Sequence, residues 1–281
     1  MLFMSVIELT IIILIGSYFA GLLGSLTGLG GGFIVIPLFT LILHIDIHYA
    51  IGASLISVIA TSSGSAAAYV KEGITNMRLG MFLEIATTAG ALVGAILAIY
   101  TPTHYIAILF GTILIISALM SLQKKTEQIV KHQSYLAEKL KLNGSYPTAT
   151  GTVAYGVTNV AGGFFMMLFA GVISGLLGIG SGALKVVAMD GVMRIPFKVS
   201  TTTSNFMIGV TAAASAVVYL QRGYIDPALS MPVVIGVALG ALTGSKILVN
   251  STSSKWLRIM FAAVVTIVAV QMIYNGVTGK I

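Results

Sequence analysis

Apolar residues in this chain come in long runs. They lie near 7–26, 51–70, 79–100, 106–122, 162–177, 199–220, 229–249 and 256–273, with short polar turns between them. Most runs are close to the roughly 20 residues a helix needs to cross about 30 Å of hydrocarbon. Two shorter apolar segments, 33–43 and 183–193, each follow a glycine-rich stretch. The pattern also repeats at a constant offset of 150 residues. Ala20, Gly21, Leu26, Gly28, Gly30 and Gly32 return as Ala170, Gly171, Leu176, Gly178, Gly180 and Gly182. Further on, Ser54 matches Ser204, Tyr69 matches Tyr219, and Gly90 and Gly94 match Gly240 and Gly244. So long a period marks a duplicated half-protein rather than a solenoid, and in a membrane chain that is the usual construction of a secondary transporter.

Composition places the runs in a bilayer, since 57% of residues are hydrophobic and 8% charged, against about 25% charged in a soluble domain. The net charge of +7 is dispersed among short loops. It therefore reports topology and contact with anionic lipid, and argues against a nucleic-acid partner. Without cysteine there are no disulfides or thiolate metal sites, and His44, His48, His104 and His132 make no ligand pattern, so no cofactor or metal is expected. An enzyme is not expected either, because the spans contain no nucleophile with a base and no paired carboxylates. The start MLFMSVIELT lacks a basic n-region, so the first run reads as a retained span. The expected location is the cell (cytoplasmic) membrane, as a multi-pass protein.

One sizeable polar segment, from 123 to about 144, carries Lys124, Lys125, Lys131, Lys139 and Lys141. It divides the chain into a first transmembrane repeat (1–122), a polar linker (123–150) and a second repeat (151–281). The segment reads as a solvated linker without a packing partner. Alternatively, Glu127, Lys131, Glu138 and Lys141 support a short helix against headgroups.

Loop charges orient the halves. In the first repeat, loops 44–48 and 101–104 have no Lys or Arg, whereas 71–78 and 123–145 have two and five. In the second, the equivalent loops 194–198 and 246–258 have two and three, whereas 221–226 and 274–281 have one each. Equivalent loops thus favour opposite sides. The expected fold is an all-α polytopic membrane protein of two inverted-topology repeats, each of about five hydrophobic segments: four full spans, plus a short segment that forms a glycine-broken helix pair with the first. Both termini would face outward.

The candidate chemistry lies at those breaks. Gly28, Gly30, Gly31 and Gly32 in one half, and Gly178, Gly180, Ser181 and Gly182 in the other, permit positive φ and expose backbone N–H groups. Hydrocarbon penalises such groups, so each break must be buried in protein or line a polar cavity. Short helices starting at Phe33 and Ala183 would present N–H donors and a positive dipole end to an anion. The alternative is that the glycines only allow close helix crossing. Ser54, Ser204 and Asn205, on the polar starts of the next spans, can replace part of an oxyanion's hydration shell. Their alternative role is packing and back-bonding within helices.

Two ionisable residues break the repeat. Glu84 stands opposite Val234 and is the candidate for proton coupling; Lys185 stands opposite Val35 and is the candidate to complete an anion site. Glu84 has the alternative of capping or pairing near the interface. Lys185 has that of snorkelling; pairing with Asp190 fails within one helix, since five residues of helix separate the two by about 140°. Gly90, Gly94, Gly236, Gly240 and Gly244 follow small-xxx-small spacing and suit packing between halves or between the protomers of a homodimer.

The glycine-rich break, the stretch Ala50, Ile51, Gly52, Ala53, Ser54 and their recurrence 150 residues later resemble the TauE/SafE family of sulfite-exporter-like permeases. The first copy has Ala53 in place of the usual threonine, and the second reads STTTS over 200–204. The resemblance spans essentially the whole chain. It implies a multi-pass prokaryotic membrane protein that moves small sulfur-containing anions such as sulfite or sulfoacetate. The function expected is a secondary transporter and exporter working by alternating access with proton coupling; the alternative is a passive anion channel.

Overall fold

A computed structural model describes residues 6–27, 30–71, 73–122, 134–148, 151–250 and 254–279. Gly28, Glu127 and Lys131 lie outside the described residues. Among the described residues the chain is mainly helical, and six helices are long and apolar enough to cross a membrane. Helix α1 is Val6–Thr27; α2, Gly32–Pro37, continues as a π-helical turn over Leu38–Ile42; α3 is Ile47–Lys71, α4 Met77–Tyr100 and α5 Thr103–Leu122. After the short α6, Tyr135–Lys139, strands β1 (Gly144–Thr148) and β2 (Gly151–Tyr155) form an antiparallel hairpin. The second half gives α7 (Val160–Leu177), α8 (Gly182–Val187) with a π turn over Ala188–Val192, α9 (Phe197–Gln221), α10 (Pro227–Asn250) and α11 (Ser254–Val277). The six spans lie in α1, α3, α4, α7, α9 and α10, while α5 and α11 contribute shorter apolar helices over Thr103–Leu119 and Ala262–Val277.

Local structure recurs at the sequence offset. His44 and Arg194 end the short segments at φ 54° and 55°, and Gly73 and Gly223 close the following turns at 69° and 75°. The helices pair by exchange: α1 packs along α10 as α7 does along α4, while α3 meets α9 and α5 meets α11. Inside lipid, apolar surface gives helices no reason to associate, so close backbone approach supplies the attraction. A Cβ on Gly94 would lie 2.0 Å from the Val172 carbonyl oxygen, and one on Gly240 2.0 Å from that of Tyr18. From the other side, a Cβ on Gly171 would lie 2.2 Å from the Thr87 oxygen, and one on Gly21 2.2 Å from the Val237 oxygen. The small-residue stripes are therefore crossings within the chain. Exposed Phe19 on α1, Phe165 and Phe169 on α7, and Leu239 and Leu242 on α10 make outward apolar faces suited to acyl chains.

The expectation of an all-helical chain is corrected by the hairpin, and that of a partnerless linker by its packing. Tyr146, Tyr155, Ala137 and Leu142 are buried in one cluster with Leu79 and Leu83 of α4, Met189 of the second π segment and Met193 just after it. Asn76 ties the hairpin to the membrane helices. Its Oδ1 caps α4 by accepting from Leu79 N (3.0 Å), while Nδ2 donates to Leu142 O (2.8 Å) and Tyr155 Oη (2.9 Å). The largely polar composition of 134–155 hid α6 and a hairpin whose apolar anchors are only a few side chains.

The glycine crossings give a direct test. Gly94→Val is expected to abolish the native elution peak of detergent-solubilised protein. Gly64→Ala, where a Cβ meets nothing within 4 Å, is expected to raise the thermal midpoint, by the roughly 0.5–1 kcal/mol that alanine gains over glycine within a helix.

Candidate functional site

Helices α3 and α9 carry most of the buried hydroxyls, and the two glycine stretches meet against them. Between α1 and α2, Gly30 has φ +79°, and the carbonyl of Gly31 accepts from Ile34 N (3.1 Å) and Val35 N (3.3 Å) to start α2. After α7, Gly178, Gly180 and Ser181 take φ +67°, +70° and +43°, and the Ser181 hydroxyl holds this turn by donating to Ala170 O at 2.7 Å. Both short helices begin one residue earlier than expected, at Gly32 and Gly182. Val58 of α3 lies between the stretches: its two methyls are 3.5 Å and 3.1 Å from where Cβ atoms would stand on Gly30 and Gly180. Ser54 joins the halves, its hydroxyl donating to Gly178 O at 2.7 Å, and its counterpart Ser204 donates to Gly182 O at 3.1 Å. Both serines are fully buried, with their hydroxyls bound to backbone.

Asn205 faces the seam differently. It lines a small cavity with Gly24, Ser25, Gly30, Thr61, Ser62 and Ile208, so residues of both halves share one polar space. At about 10 Å³, this space approaches the volume that admits one water and falls short of an oxyanion.

The structure brings together the two residues that break the repeat. Lys185 on α8 is fully buried and donates to Thr211 Oγ1 on α9. Thr211 in turn donates to Glu84 Oε1 on α4 at 2.6 Å, and Thr88 donates to the same oxygen at 3.2 Å. Lys185 Nζ stands 4.0 Å from Glu84 Oε2, an oxygen shut from solvent with no hydrogen-bond partner among the described residues. The partner of Lys185 is thus an acid from the other half, neither Asp190 nor the surface. The positions 150 residues away from Lys185, Thr211 and Glu84 are Val35, Thr61 and Val234, and the Thr61 hydroxyl donates back to Ser57 O at 2.7 Å. Taking two opposite charges out of water is favourable only where geometry and further hydrogen bonds compensate the desolvation. Lys185 on α8 and Glu84 on α4 make that arrangement, whereas the equivalent positions on α2 and α10 are apolar. Thr211 was not legible beforehand, because its copy Thr61 behaves as an ordinary back-bonded threonine; its position beside the two asymmetric residues was the one available signal.

Buried breaks, a polar seam between duplicated halves and a charge pair inside apolar helices define a multi-pass membrane protein with the features of a transporter. The chain belongs to the Sulfite exporter TauE/SafE family, whose model matches residues 13–272. This is a family of membrane transporters rather than of enzymes. Its relatives include the probable membrane transporter protein YunE of Bacillus subtilis, 26% identical over 95% of this chain and 98% of its own length. Another from the same organism, the probable membrane transporter protein YdhB, is 28% identical over 84% of this chain and 89% of its own. The archaeal probable membrane transporter protein MJ0441 of Methanocaldococcus jannaschii is 24% identical over 94% of this chain and 95% of its own. No solved structure matches the chain.

Whether the charge pair is held for folding alone can be measured. Glu84→Val and Lys185→Val singly each leave one buried charge unpaired and are expected to destabilise by about 3–5 kcal/mol. The double variant, which takes the valine found at the equivalent positions Val234 and Val35, is expected to recover most of that loss in a thermal unfolding assay.

Proposed function

We propose that the chain is a secondary transporter of small sulfur-containing anions such as sulfite or sulfoacetate, exporting them across the cell membrane by alternating access with proton coupling. The Glu84–Thr211–Lys185 chain carries this reading, since it is a titratable pair buried inside apolar helices where one half departs from its copy. Intramembrane ionisable groups are costly and mark ion or proton pathways. Protonation of Glu84 cancels its charge and frees the Lys185 ammonium for an anion. Proton and anion binding then favour each other, and the coupling is reciprocal. When the proton leaves, Glu84 reclaims Lys185 and the anion is released. Accumulated anion drives the cycle outward down its own gradient.

The anion path runs along the two breaks, contributed by Gly28, Gly30, Gly31 and Gly32 and by Gly178, Gly180, Ser181 and Gly182, with Ser54, Ser204 and Asn205 as polar wall. Exchange pairing of α1 with α10 and of α7 with α4 supports two repeats, and the loop charges support their inversion in the membrane, with repeat boundaries at 1–122 and 151–281. Rocking of one repeat against the other opens the seam to each side in turn. A passive channel through the same path is the second reading. The closed seam beside Asn205, too small for an oxyanion, favours the transporter.

Labelled sulfite in proteoliposomes separates these readings. Saturable uptake and counterflow are expected of the wild type, with accumulation driven by an imposed proton gradient. Glu84→Gln is expected to keep counterflow and lose proton-driven accumulation. Unchanged pH dependence in that variant contradicts the coupling, and non-saturable flux without counterflow supports the channel.

A further inference from the structure

A second polar basin lies away from the seam, where the turn before α4 meets the hairpin. It is about 260 Å³ in volume and open to the outside, and its walls include Thr75, Arg78, Lys141, Asn143, Ser145 and Tyr155. Both loops that build it, 71–78 and 123–145, are the lysine- and arginine-rich loops of the first half, which puts the basin on the positive, inner side of the membrane.

The lining is rich in donors and poor in free acceptors. Among the described residues, Arg78 and Lys141 bring two full charges with no ion-pair partner, and no acidic side chain lines the space. The acceptors are already engaged: Asn143 Oδ1 takes Val157 N at 2.9 Å, Asn76 Oδ1 takes Leu79 N at 3.0 Å, and Tyr155 Oη takes Asn76 Nδ2 at 2.9 Å. That leaves the Asn143 amide N–H groups, the Tyr155 O–H and the Ser145 hydroxyl as donors beside the two cations. Thr75 Oγ1 is shut from solvent and has no hydrogen-bond partner among the described residues. Burial pushes the Tyr155 phenol up to about 12, so it keeps its proton at any physiological pH. The donors stand on a fixed frame, because β1 and β2 pair from Gly144 with Tyr155 to Thr148 with Gly151, and Asn76 bolts the hairpin to α4.

We infer that this basin binds an oxyanion group of the phosphate or sulfate type at the inner face of the protein, at a site separate from the Glu84–Lys185 seam. Arg78 and Lys141 supply the charge, and Asn143, Ser145 and Tyr155 supply directed hydrogen bonds. The group has two sources, a phospholipid headgroup of the inner leaflet or a free oxyanion from solution.

The full chain in nanodiscs separates them. In one arm, inorganic phosphate and sulfate are titrated into protein in phosphatidylcholine discs; in the other, phosphatidylglycerol replaces part of the lipid with no free oxyanion present. The thermal midpoint is read in both. A rise in at least one arm is expected, the first identifying a free oxyanion and the second a headgroup. That rise is expected to weaken about tenfold or more in apparent affinity in Arg78→Gln/Lys141→Asn. Asparagine suits residue 141, whose φ is +52°. Ser145→Asp, an exposed position, sets a like charge against the ligand and is expected to abolish the rise. Glu84→Gln is expected to leave it intact, so failure of the transport reading leaves this site standing. No rise in either arm, or a rise of equal affinity in both basin variants, overturns the inference.

Discussion

A carboxylate and an ammonium enclosed by apolar helices can be satisfied only by protein groups, and three helices from the two halves converge to do so. Glu84 comes from α4, Lys185 from α8 and Thr211 from α9, so the contact crosses the seam between the repeats. In low dielectric such a pair is attractive only while complete. Loss of either charge, by mutation or by a proton, leaves the other exposed to an uncompensated environment. That sensitivity makes the pair a poor device for stability.

The glycine crossings make this convergence sterically possible. Gly90 and Gly94 bring α4 into backbone contact with Leu168 and Val172 of α7, and Gly171 and Gly175 answer from the other side. Because α7 leads through Gly178, Gly180 and Ser181 into α8, the position of Lys185 is set by that crossing and by the left-handed turn that follows it. The equivalent crossing of α1 with α10, with Gly240 against Tyr18, carries α1 toward Gly30 and α2. The two glycine stretches therefore stand on either side of Val58. Each half of the chain supplies one charge of the pair beside them.

Much of this was readable from the sequence. The apolar runs located the spans, the offset of 150 residues aligned the breaks and the packing stripes, and its failures at Glu84 and Lys185 picked out two residues that the structure brings together. Their meeting was not readable. Each lies on a different half, and periodicity reports only which residues share a face of one helix. Hydrogen bonding by Ser54 to the opposite break was hidden for the same reason, since it depends on how α3 meets the turn that follows α7 and not on any local pattern. The hairpin escaped because its strands are short and polar, include Pro147, and owe their place to Asn76 and a few buried side chains. Tertiary contacts at sequence-distant positions carried what local patterning could not.

The central claim is that anion binding and protonation of Glu84 are one event. Infrared difference spectroscopy of the purified protein, with and without saturating sulfite at neutral pH, reads that carboxyl directly. Sulfite is expected to bring up the carbonyl stretch of a protonated carboxylic acid, and Glu84→Gln is expected to lack it. Sulfite that binds without this band, or a band that persists in Glu84→Gln, contradicts the account.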